Sequence, residues 1–429
     1  MRIAVANWSS RKAGGTEAYL DEVVSELSAI GNDVAFFHEL DVPSDRARIK
    51  LPQATPRWCV AQSGDACALA ALREWRPDIV YAHKIRDVWL MEQACQGIPC
   101  VFFMHDYDGI CISGAKTFKF PVTRPCSRTF GWQCLMHYFP HRCGGRSPVT
   151  MWQLFRKQSQ RLEFIRRCAA VVTHSSHMRD ELLRNGFSPE VVHRSSYLVP
   201  PTALNIDALA ATREECSEGP YPRRTTQRRL LFVGRMDGLK GGLILIKALP
   251  SIANALSRQI HLRFAGDGPD RALWERRARR LQAVDSRISI EFNGWLDERA
   301  MEDVFIESDL LVVPSLWPEP FGRVGPEAGL RSLPAAAFAV GGIPDWLIDG
   351  VNGFLAPGDS PTAEGLAKAA VKCLSDPAVH ERLRQGALKV ANHFNVSNHI
   401  VQLVQVFEDV LRARRFDARL QMGPAQFAL

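Results

Sequence analysis

Short apolar runs alternate with helical patterns along both halves of the chain. The runs in the first half fall at 3–6, 34–38, 79–82, 100–104 and 170–173, and those in the second half at 230–233, 262–265, 288–292 and 310–313. Strands that are apolar over their whole length are covered by helices on both faces. This alternation predicts parallel sheets with right-handed crossovers, and therefore an α/β protein of two doubly wound, Rossmann-like domains.

The domain boundaries follow from length and from breaks in the pattern. At 429 residues the chain is too long for one ordinary core, and both periodicities stop at Pro200-Pro201 and again at 219–224. We predict an N-terminal domain over 1–200, a linker over 201–228, a C-terminal domain over 229–395 and a final helix over 396–416. Two helices have a core-facing side in this prediction, one through Tyr19, Val23, Leu27 and Ile30 and the final one through Ile400, Val404, Phe407 and Leu411.

Composition excludes several classes of protein. Apolar residues make up 46% of the chain and charged residues 23%, as in globular proteins, which excludes the disordered and fibrous classes. No apolar run approaches the roughly eighteen residues of a membrane-spanning helix, and the apolar start is too short for a signal peptide. We therefore expect a cytoplasmic protein whose eleven cysteines are reduced thiols or metal ligands.

The net charge of +7 indicates which kinds of molecule the protein could bind. A modest excess of cations suits an anionic small substrate or an anionic membrane surface. The basic residues are scattered and no aromatic stripe is interleaved with them, so no nucleic-acid partner is expected. A slightly basic surface without a specific partner stays open as the alternative.

Ligands of open α/β sheets bind beyond the carboxyl ends of the strands, so we expect the active site in a cleft between two facing domains. The first strand is followed by Gly14-Gly15-Thr16-Glu17 and then a helix. Backbone amides around Gly15 and the helix N-terminus could hold an anion there. A simple turn explains the same two glycines, and the dinucleotide fingerprint is absent.

The second domain opens with a strand that runs into a Gly-rich turn carrying Arg235 and Lys240. Arg offers phosphate oxygens a planar fork, and Lys offers a mobile point charge. With Gly238, Gly241 and Gly242 around Lys240, this turn predicts a phosphate site. The alternative is a solvated basic loop.

Two carboxylates, Glu319 and Glu327, follow the strand at 310–313. Their separation is about two helical turns, which would place them on one side of a helix beginning near Gly322. Glu319 could then accept hydrogen bonds from sugar hydroxyls and Glu327 from ribose hydroxyls, although surface pairs of Glu are common. The amides offered to a donor diphosphate at the helix N-terminus would be those of Phe321, Gly322, Arg323 and Val324.

Taken together, these motifs resemble the retaining family 4 glycosyltransferases of GT-B fold over nearly the whole chain. The resemblance rests on Gly-Gly-Thr-Glu at 14–17, Val-Gly-Arg at 233–235 with Lys240-Gly241, Phe-Ala-Gly-Asp-Gly-Pro at 264–269, Phe-Asn-Gly-Trp at 292–295, and Glu-Pro-Phe-Gly at 319–322 followed by Glu327-Ala328. Two positions depart from the family pattern: Asp345 stands where Glu is usual, and Ser332 where Gly is common.

The resemblance implies roles for these residues. Arg235 and Lys240 would bind the donor pyrophosphate and stabilise the leaving nucleotide, Glu319 would contact the donor sugar and Glu327 the ribose. The turn at Gly294-Trp295 would lie near the base. His105, which follows the strand at 100–104, matches a family histidine that reaches the donor sugar. The final helix would cross back onto the N-terminal domain.

The implied activity is transfer of a hexose-type sugar from a nucleoside diphosphate sugar to a glycan or lipid-linked hydroxyl, with retention at the anomeric carbon. The product would be a cell-surface or extracellular polysaccharide or a glycolipid. No cofactor and no metal are expected, and we interpret Asp106-Tyr107-Asp108 as an incidental acidic triplet. The alternatives are a GT-B epimerase acting on the nucleotide sugar and a non-catalytic nucleotide-sugar-binding protein.

The roles of two neighbouring segments stay open. An irregular insertion at about 106–150 contains Cys111, Cys126, Cys134, Cys143, His137 and His141. It lacks the C-x₂₋₄-C knuckle of zinc sites, so reduced thiols compete with a structural metal, and we expect the insertion to shape the acceptor pocket. The stretch 151–167 mixes apolar and basic residues at helical spacing. It fits either a helix at the inner face of a membrane or one packed on its own domain.

Overall fold

The computed structural model describes residues 1–11, 14–41, 48–84, 86–195 and 227–421, with side chains up to 416. The chain divides into two compact units. Unit 1 comprises Met1–Gly114, Arg128–Leu198 and Val396–Leu429, and unit 2 comprises Ala115–Ser127 and Val199–Asn395. Part of the predicted insertion therefore belongs to unit 2. The predicted linker lies outside the described residues except for 227 and 228, which begin the first strand of the second sheet.

Unit 1 is built on a seven-stranded parallel sheet. Its strands in chain order are β1 (Arg2–Ser9), β2 (Asp33–Leu40), β3 (Arg57–Cys59), β4 (Ile79–Ala82), β5 (Cys100–Met104), β8 (Ala170–Thr173) and β9 (Val192–Arg194). The strands β6 (Thr117–Phe118) and β7 (Arg124–Pro125) form a separate hairpin in the segment that belongs to unit 2. The seven strands of unit 1 form one sheet. They lie in the order 3-2-1-4-5-8-9 across the sheet.

Seven helices of unit 1 connect these strands. They are α1 (Gly15–Ala29), α2 (Val60–Ser63), α3 (Asp65–Trp75), α4 (Val88–Ala94), α5 (Gln133–Tyr138), α6 (Pro148–Arg166) and α7 (Ser176–Arg184). Tyr19, Val23 and Leu27 of α1 are buried as predicted. Ile30 is exposed, which the spacing did not predict, because α1 ends at Ala29 and the chain turns at Gly31.

Unit 2 contains a six-stranded parallel sheet. Its strands are β10 (Gln227–Val233), β11 (Gln259–Ala265), β12 (Ile288–Gly294), β13 (Leu310–Val313), β14 (Ala335–Phe338) and β15 (Gly353–Ala356), and its helices are α8 (Gly242–Leu256), α9 (Arg271–Gln282), α10 (Glu298–Glu307), α11 (Val324–Gly329), α12 (Ala363–Leu374) and α13 (Pro377–Ala391). The strand order 12-11-10-13-14-15 reverses direction at β10, as in the doubly wound nucleotide-binding fold. The prediction of two Rossmann-like, parallel-sheet domains is confirmed.

The final helix, α14 (Val396–Gln421), packs on unit 1. Ile400 and Phe407 are buried in the same hydrophobic core as β1 and α1. His399 adds polar contacts, because its Nε2 lies 2.6 Å from the Tyr19 hydroxyl and its Nδ1 lies 2.8 Å from Oγ of Ser195. The N-terminal half of α14 is therefore held by the core of unit 1.

One stretch among the described residues, Gly238–Leu256, is long and apolar enough to cross a membrane by length and composition alone. The expectation that no apolar run approaches that length is therefore wrong. Most of the stretch is α8, which connects the neighbouring strands β10 and β11. Leu245, Leu249 and Ile252 are fully buried in unit 2, so packing in the core explains the apolar composition.

Candidate active site

A largely buried ion pair of unit 2 lies beyond the carboxyl ends of two neighbouring strands, β10 and β13. Nζ of Lys240, from the turn after β10, lies 2.6 Å from Oε1 of Glu319, from the loop after β13. The Ser315 hydroxyl donates to the same carboxylate oxygen at 2.5 Å. The Glu319 side chain is only 7% exposed, so this carboxylate relies on Lys240 and Ser315 for its stabilisation.

The position of Lys240 is fixed by its own turn. The Asp237 carboxylate accepts hydrogen bonds from the amides of Leu239 and Lys240, at 3.0 and 3.2 Å. Gly241 adopts a φ of 72°, and a Cβ there would lie 1.8 Å from the Pro314 carbonyl oxygen, so only glycine fits. The amide of Leu316 donates to the Leu239 carbonyl at 2.7 Å, which joins the two loops.

Arg235 is held far more loosely than Lys240. Its side chain is 69% exposed, and Nε lies 3.8 Å from Oδ2 of Asp237, a weak surface ion pair. The two cations that the sequence singled out therefore differ in organisation. Lys240 is fixed in position by its contacts within the protein, whereas Arg235 is exposed and able to move toward a ligand.

The Glu319 backbone is fixed by the turn after β14. The amide of Gly342 donates to the Glu319 carbonyl at 2.7 Å. Gly341 packs so closely that a Cβ on it would lie 2.2 Å from the same carbonyl oxygen. Asp345, one of the two departures from the family pattern, lies in the 3₁₀ turn Ile343–Asp345. Ser332, the other departure, has a φ of 52°, which explains why glycine suits that position.

Glu319 lies in the loop before the helix, as expected. The helix itself begins at Val324, two residues later than predicted, and ends at Gly329. Glu327 forms an ion pair with Arg323 one turn earlier. The Arg331 guanidinium donates to the Glu327 carbonyl at 2.8 Å. Glu327 is thus engaged by Arg323, and the role implied for it at a ribose stays a prediction.

Trp346 and Ser315 belong to this site and were missed by sequence reasoning. Trp346 is buried, and its indole Nε1 donates to the Phe321 carbonyl at 2.8 Å, which holds the loop before α11. Ser315 stands four positions before Glu319 and contacts its carboxylate. Nothing in the local pattern distinguishes a serine that follows a strand from an ordinary turn residue.

Gly294 ends β12, two strands away from β10, and Trp295 follows it. The Gly294 carbonyl accepts from the amide of Gly266, at 2.7 Å, so the turn is tied to the loop after β11. Trp295 is 80% exposed. Its indole face is therefore accessible to a planar ligand.

His105 lies in unit 1 among other aromatic side chains. Its Nε2 is 2.9 Å from Nδ1 of His83, and the Tyr19 and Phe103 rings pack against it. Burial, followed by the nearby His83, holds the pKa of His105 well below its ordinary value. Burial likewise lowers the pKa of His83 to about 3. Both rings are therefore neutral at physiological pH, and the role implied for His105 stays a prediction.

Gly15, the other candidate of unit 1, begins α1. The next acidic residue, Glu17, is buried and accepts a hydrogen bond from the Trp8 indole at 3.2 Å. The role of Gly15 at an anion also stays a prediction.

The acidic triplet of unit 1 is occupied by cations of the same unit. Asp106 lies 3.2 Å from Nζ of Lys84, and Asp108 lies 2.8 Å from the Arg161 guanidinium. Gln158 also donates to Asp108, at 3.1 Å. These contacts satisfy both carboxylates within the protein.

The cysteine segment has a mixed environment. Cys111 and Cys143 are buried, and Cys126 and Cys134 are partly exposed. The Cys143 thiol contacts the His137 carbonyl at 3.7 Å. In the part of the chain that the structure describes, no three His, Cys, Asp or Glu side chains are grouped to hold a metal ion. The segment therefore offers the metal hypothesis no support.

The basic and apolar stretch 151–167 lies almost entirely in α6. Leu162, Phe164 and Ile165 are buried, so the C-terminal half of the helix packs on its own unit. Only its first turns present apolar side chains to solvent, among them Val149 and Trp152.

Two family models match the sequence. The model described as Glycosyltransferase Family 4 matches residues 13–195, and the model described as Glycosyl transferases group 1 matches residues 227–376. The chain is 25% identical to the glycogen synthase of Mycobacterium tuberculosis, over 97% of this chain and 96% of the relative. It is 24% identical to the D-inositol 3-phosphate glycosyltransferase of Streptomyces griseus, over 96% of this chain and 88% of the relative.

The fold also matches solved structures. The crystal structure of Anabaena HepE in complex with UDP and glucose aligns with a TM-score of 0.65 at 18% identity, covering 95% of this chain and all of the other. At this identity the likeness shows a shared fold.

Proposed function

Because the chain belongs to the GT-B glycosyltransferases, with a family 4 domain followed by a group 1 domain, we propose that it is a retaining transferase. The donor is a nucleoside diphosphate sugar, and the acceptor is a hydroxyl on a glycan or a lipid-linked saccharide. The product belongs to a cell-surface or extracellular polysaccharide or to a glycolipid. Uridine nucleotides are the first donors to test, because UDP occupies the HepE structure.

The observation that carries the donor site is the contact of 2.6 Å between Lys240 and Glu319. Diphosphate oxygens compete with the Glu319 carboxylate for the Lys240 ammonium, and the exposed Arg235 can turn toward the same phosphates. Once Lys240 binds phosphate, the Glu319 carboxylate accepts hydrogen bonds from the hydroxyls of the donor sugar. Glu327 exchanges its contact with Arg323 for the ribose, and Trp295 stacks on the base.

The proposed chemistry occurs on one face of the sugar. The acceptor hydroxyl oxygen forms a bond to the anomeric carbon on the side from which the diphosphate departs. The bond from that carbon to the phosphate oxygen breaks, and the hydroxyl proton moves to an oxygen of the leaving phosphate. Lys240 and Arg235 stabilise the charge that develops on the leaving group, which is the largest contribution such a site supplies.

We propose that this charge is neutralised without a divalent metal. The carboxylates of Asp106 and Asp108 are engaged by Lys84 and Arg161, and the donor loops supply Arg235 and Lys240. Turnover should then be unchanged after exhaustive chelation. Activity that is lost on chelation and restored by Mg²⁺ or Mn²⁺ would contradict this part of the proposal.

A binding screen followed by product analysis tests the function. Nucleoside diphosphates and their sugars are screened by thermal shift, since a ligand of the native state raises its melting temperature. Donor turnover is then measured with an acceptor panel, and the anomeric configuration of the product is read by NMR. Lys240→Ala should abolish transfer, whereas Lys247→Ala, an exposed lysine of α8, should not. Inversion at the anomeric carbon, or isomerisation of donor without acceptor, would overturn the proposal.

A further inference from the structure

A surface of unit 1 exposes five large apolar side chains on α5 and the start of α6. Trp132, Met136 and Phe139 recur at helical spacing along α5 and its flanking residues, and they are 64, 56 and 41% exposed. Val149 and Trp152 lie one turn apart on α6 and are 65 and 57% exposed. We call these five residues the aromatic surface.

The two helices form one continuous face. Helix α5 packs against α6. Phe130, just before α5, contacts Phe155 at a ring distance of 5.3 Å, and Phe155 in turn stacks on Trp152 at 6.0 Å. On the other side of α5, Tyr138 is completely buried in unit 1. The aromatic surface is thus presented by an anchored segment.

The charge around this surface is of one sign. Residues 128–162, which lie in unit 1, contain six Lys and Arg and no Asp or Glu, although the whole chain has a net charge of only +7. Four exposed arginines lie within the same stretch as the aromatic surface: Arg128, Arg142, Arg146 and Arg156. Arg156 follows Trp152 by one helical turn. Large apolar side chains bordered by cations are typical of segments that lie in the interface of an anionic bilayer.

We propose that the aromatic surface inserts into the interface of a bilayer containing anionic lipid. Trp132, Met136 and Trp152 enter the boundary between headgroups and acyl chains, and the four arginines contact lipid phosphates. A second copy of the chain is a poorer occupant, because two such faces would bring eight arginines together. Single-stranded nucleic acid is stacked in grooves by planar rings, which does not account for exposed Met136 and Val149.

The membrane contact would bring the enzyme to a lipid-linked acceptor, and only this purpose rests on the proposed function. Binding to vesicles can be measured without any sugar transfer. A protein that binds vesicles but transfers nothing would leave this proposal standing and refute the function. A protein that transfers sugar to a soluble acceptor but does not bind vesicles would support the function and refute the membrane proposal.

The test is co-sedimentation of the full chain with phosphatidylcholine vesicles, with and without phosphatidylglycerol. We expect binding to the anionic vesicles at low salt and weaker binding at high salt, because salt screens the arginine contacts. Trp132→Ser/Met136→Ser/Trp152→Ser should weaken the partition coefficient at least about a hundredfold. Arg142→Gln/Arg146→Gln should weaken it by about fivefold per arginine.

The matched control is Leu273→Ser/Val284→Ser/Val401→Ser, which removes three exposed apolar side chains elsewhere. It should bind like the unmodified protein, and the Trp132 triple variant should keep the melting temperature of the unmodified protein, because the three side chains are exposed. Absence of wild-type binding to anionic vesicles, or equal binding by the Trp132 triple variant, would overturn the proposal. Tighter binding to a single-stranded oligonucleotide than to the vesicles would overturn it in favour of nucleic acid.

Discussion

Lys240 and Glu319 are 79 positions apart in the chain, yet Nζ of one lies 2.6 Å from Oε1 of the other. Their contact exists because β10 and β13 are neighbours in the sheet, so that the loops after both strands meet. Since Glu319 is buried and Lys240 largely so, the pair is also a structural element of unit 2.

Replacing only one partner of this pair should destabilise the protein. Lys240→Met leaves the buried Glu319 carboxylate with Ser315 as its remaining partner, which should cost about 3 kcal/mol in the free energy of unfolding. In Lys240→Met/Glu319→Gln no buried charge remains, and most of that loss should be recovered. Urea denaturation measures both values. If Lys240→Met is as stable as the wild type, solvent screens the ion pair and the prediction is wrong.

Gly241→Ala should impair donor binding by displacing the Lys240 turn. Its φ of 72° and the approach of a Cβ to within 1.8 Å of the Pro314 carbonyl require the backbone to move. We expect the donor affinity, measured by calorimetry, to fall at least about tenfold. The control is Gly238→Ala, three residues earlier, where a Cβ would make an ordinary contact of 3.6 Å. Equal effects of both substitutions would contradict the steric argument.

Trp295→Ala should weaken nucleotide binding without changing stability. The indole is 80% exposed and contributes little to the core, whereas stacking on a base is worth about 1–3 kcal/mol. The dissociation constant of the nucleoside diphosphate should therefore rise roughly tenfold at an unchanged melting temperature. Val284→Ala, an equally exposed position of unit 2, serves as the control and should change neither.

Unit 1 should lose stability as the pH falls below about 6.5. The buried His83 has a pKa of about 3 in the folded protein, whereas an unfolded histidine binds its proton at about 6.5. Between these values the unfolded state binds the extra proton, so His83 contributes a loss of about 1.4 kcal/mol per pH unit. His83→Gln should reduce the slope of unfolding free energy against pH by that amount between pH 6 and pH 4. Above pH 7 the unfolding free energies of the wild type and of His83→Gln should change with pH in the same way.

The architecture was predictable because buried parallel strands have a simple pattern. All nine predicted strands are present, since each is an apolar run between polar or glycine residues. Four strands of the two sheets were missed. Among them, Ala335–Phe338 contains three alanines, which have little intrinsic preference for strands, and only its position between β13 and β15 makes it one.

The candidate donor site was predictable only as a set of residues. Motif order along the chain pointed to Arg235, Lys240, Glu319 and Glu327, but the helix after Glu319 begins two residues later than predicted and spans only Val324–Gly329. Helix ends depend on local caps and on packing, and here Trp346 holds the loop before α11 through the Phe321 carbonyl. No periodicity reports a hydrogen bond between residues twenty-five positions apart.

The sequence by itself determined the α/β class, the two halves and the loops that carry cations and carboxylates, because burial on both faces of a sheet and glycine turns are local properties. The tertiary structure alone decided which charges meet. It paired Lys240 with Glu319, gave Glu327 to Arg323, and left Arg235 exposed. It also separated the buried half of α6 from the exposed aromatic surface. These are contacts between distant segments, and their energies depend on distance and burial, which exist only once the chain has folded.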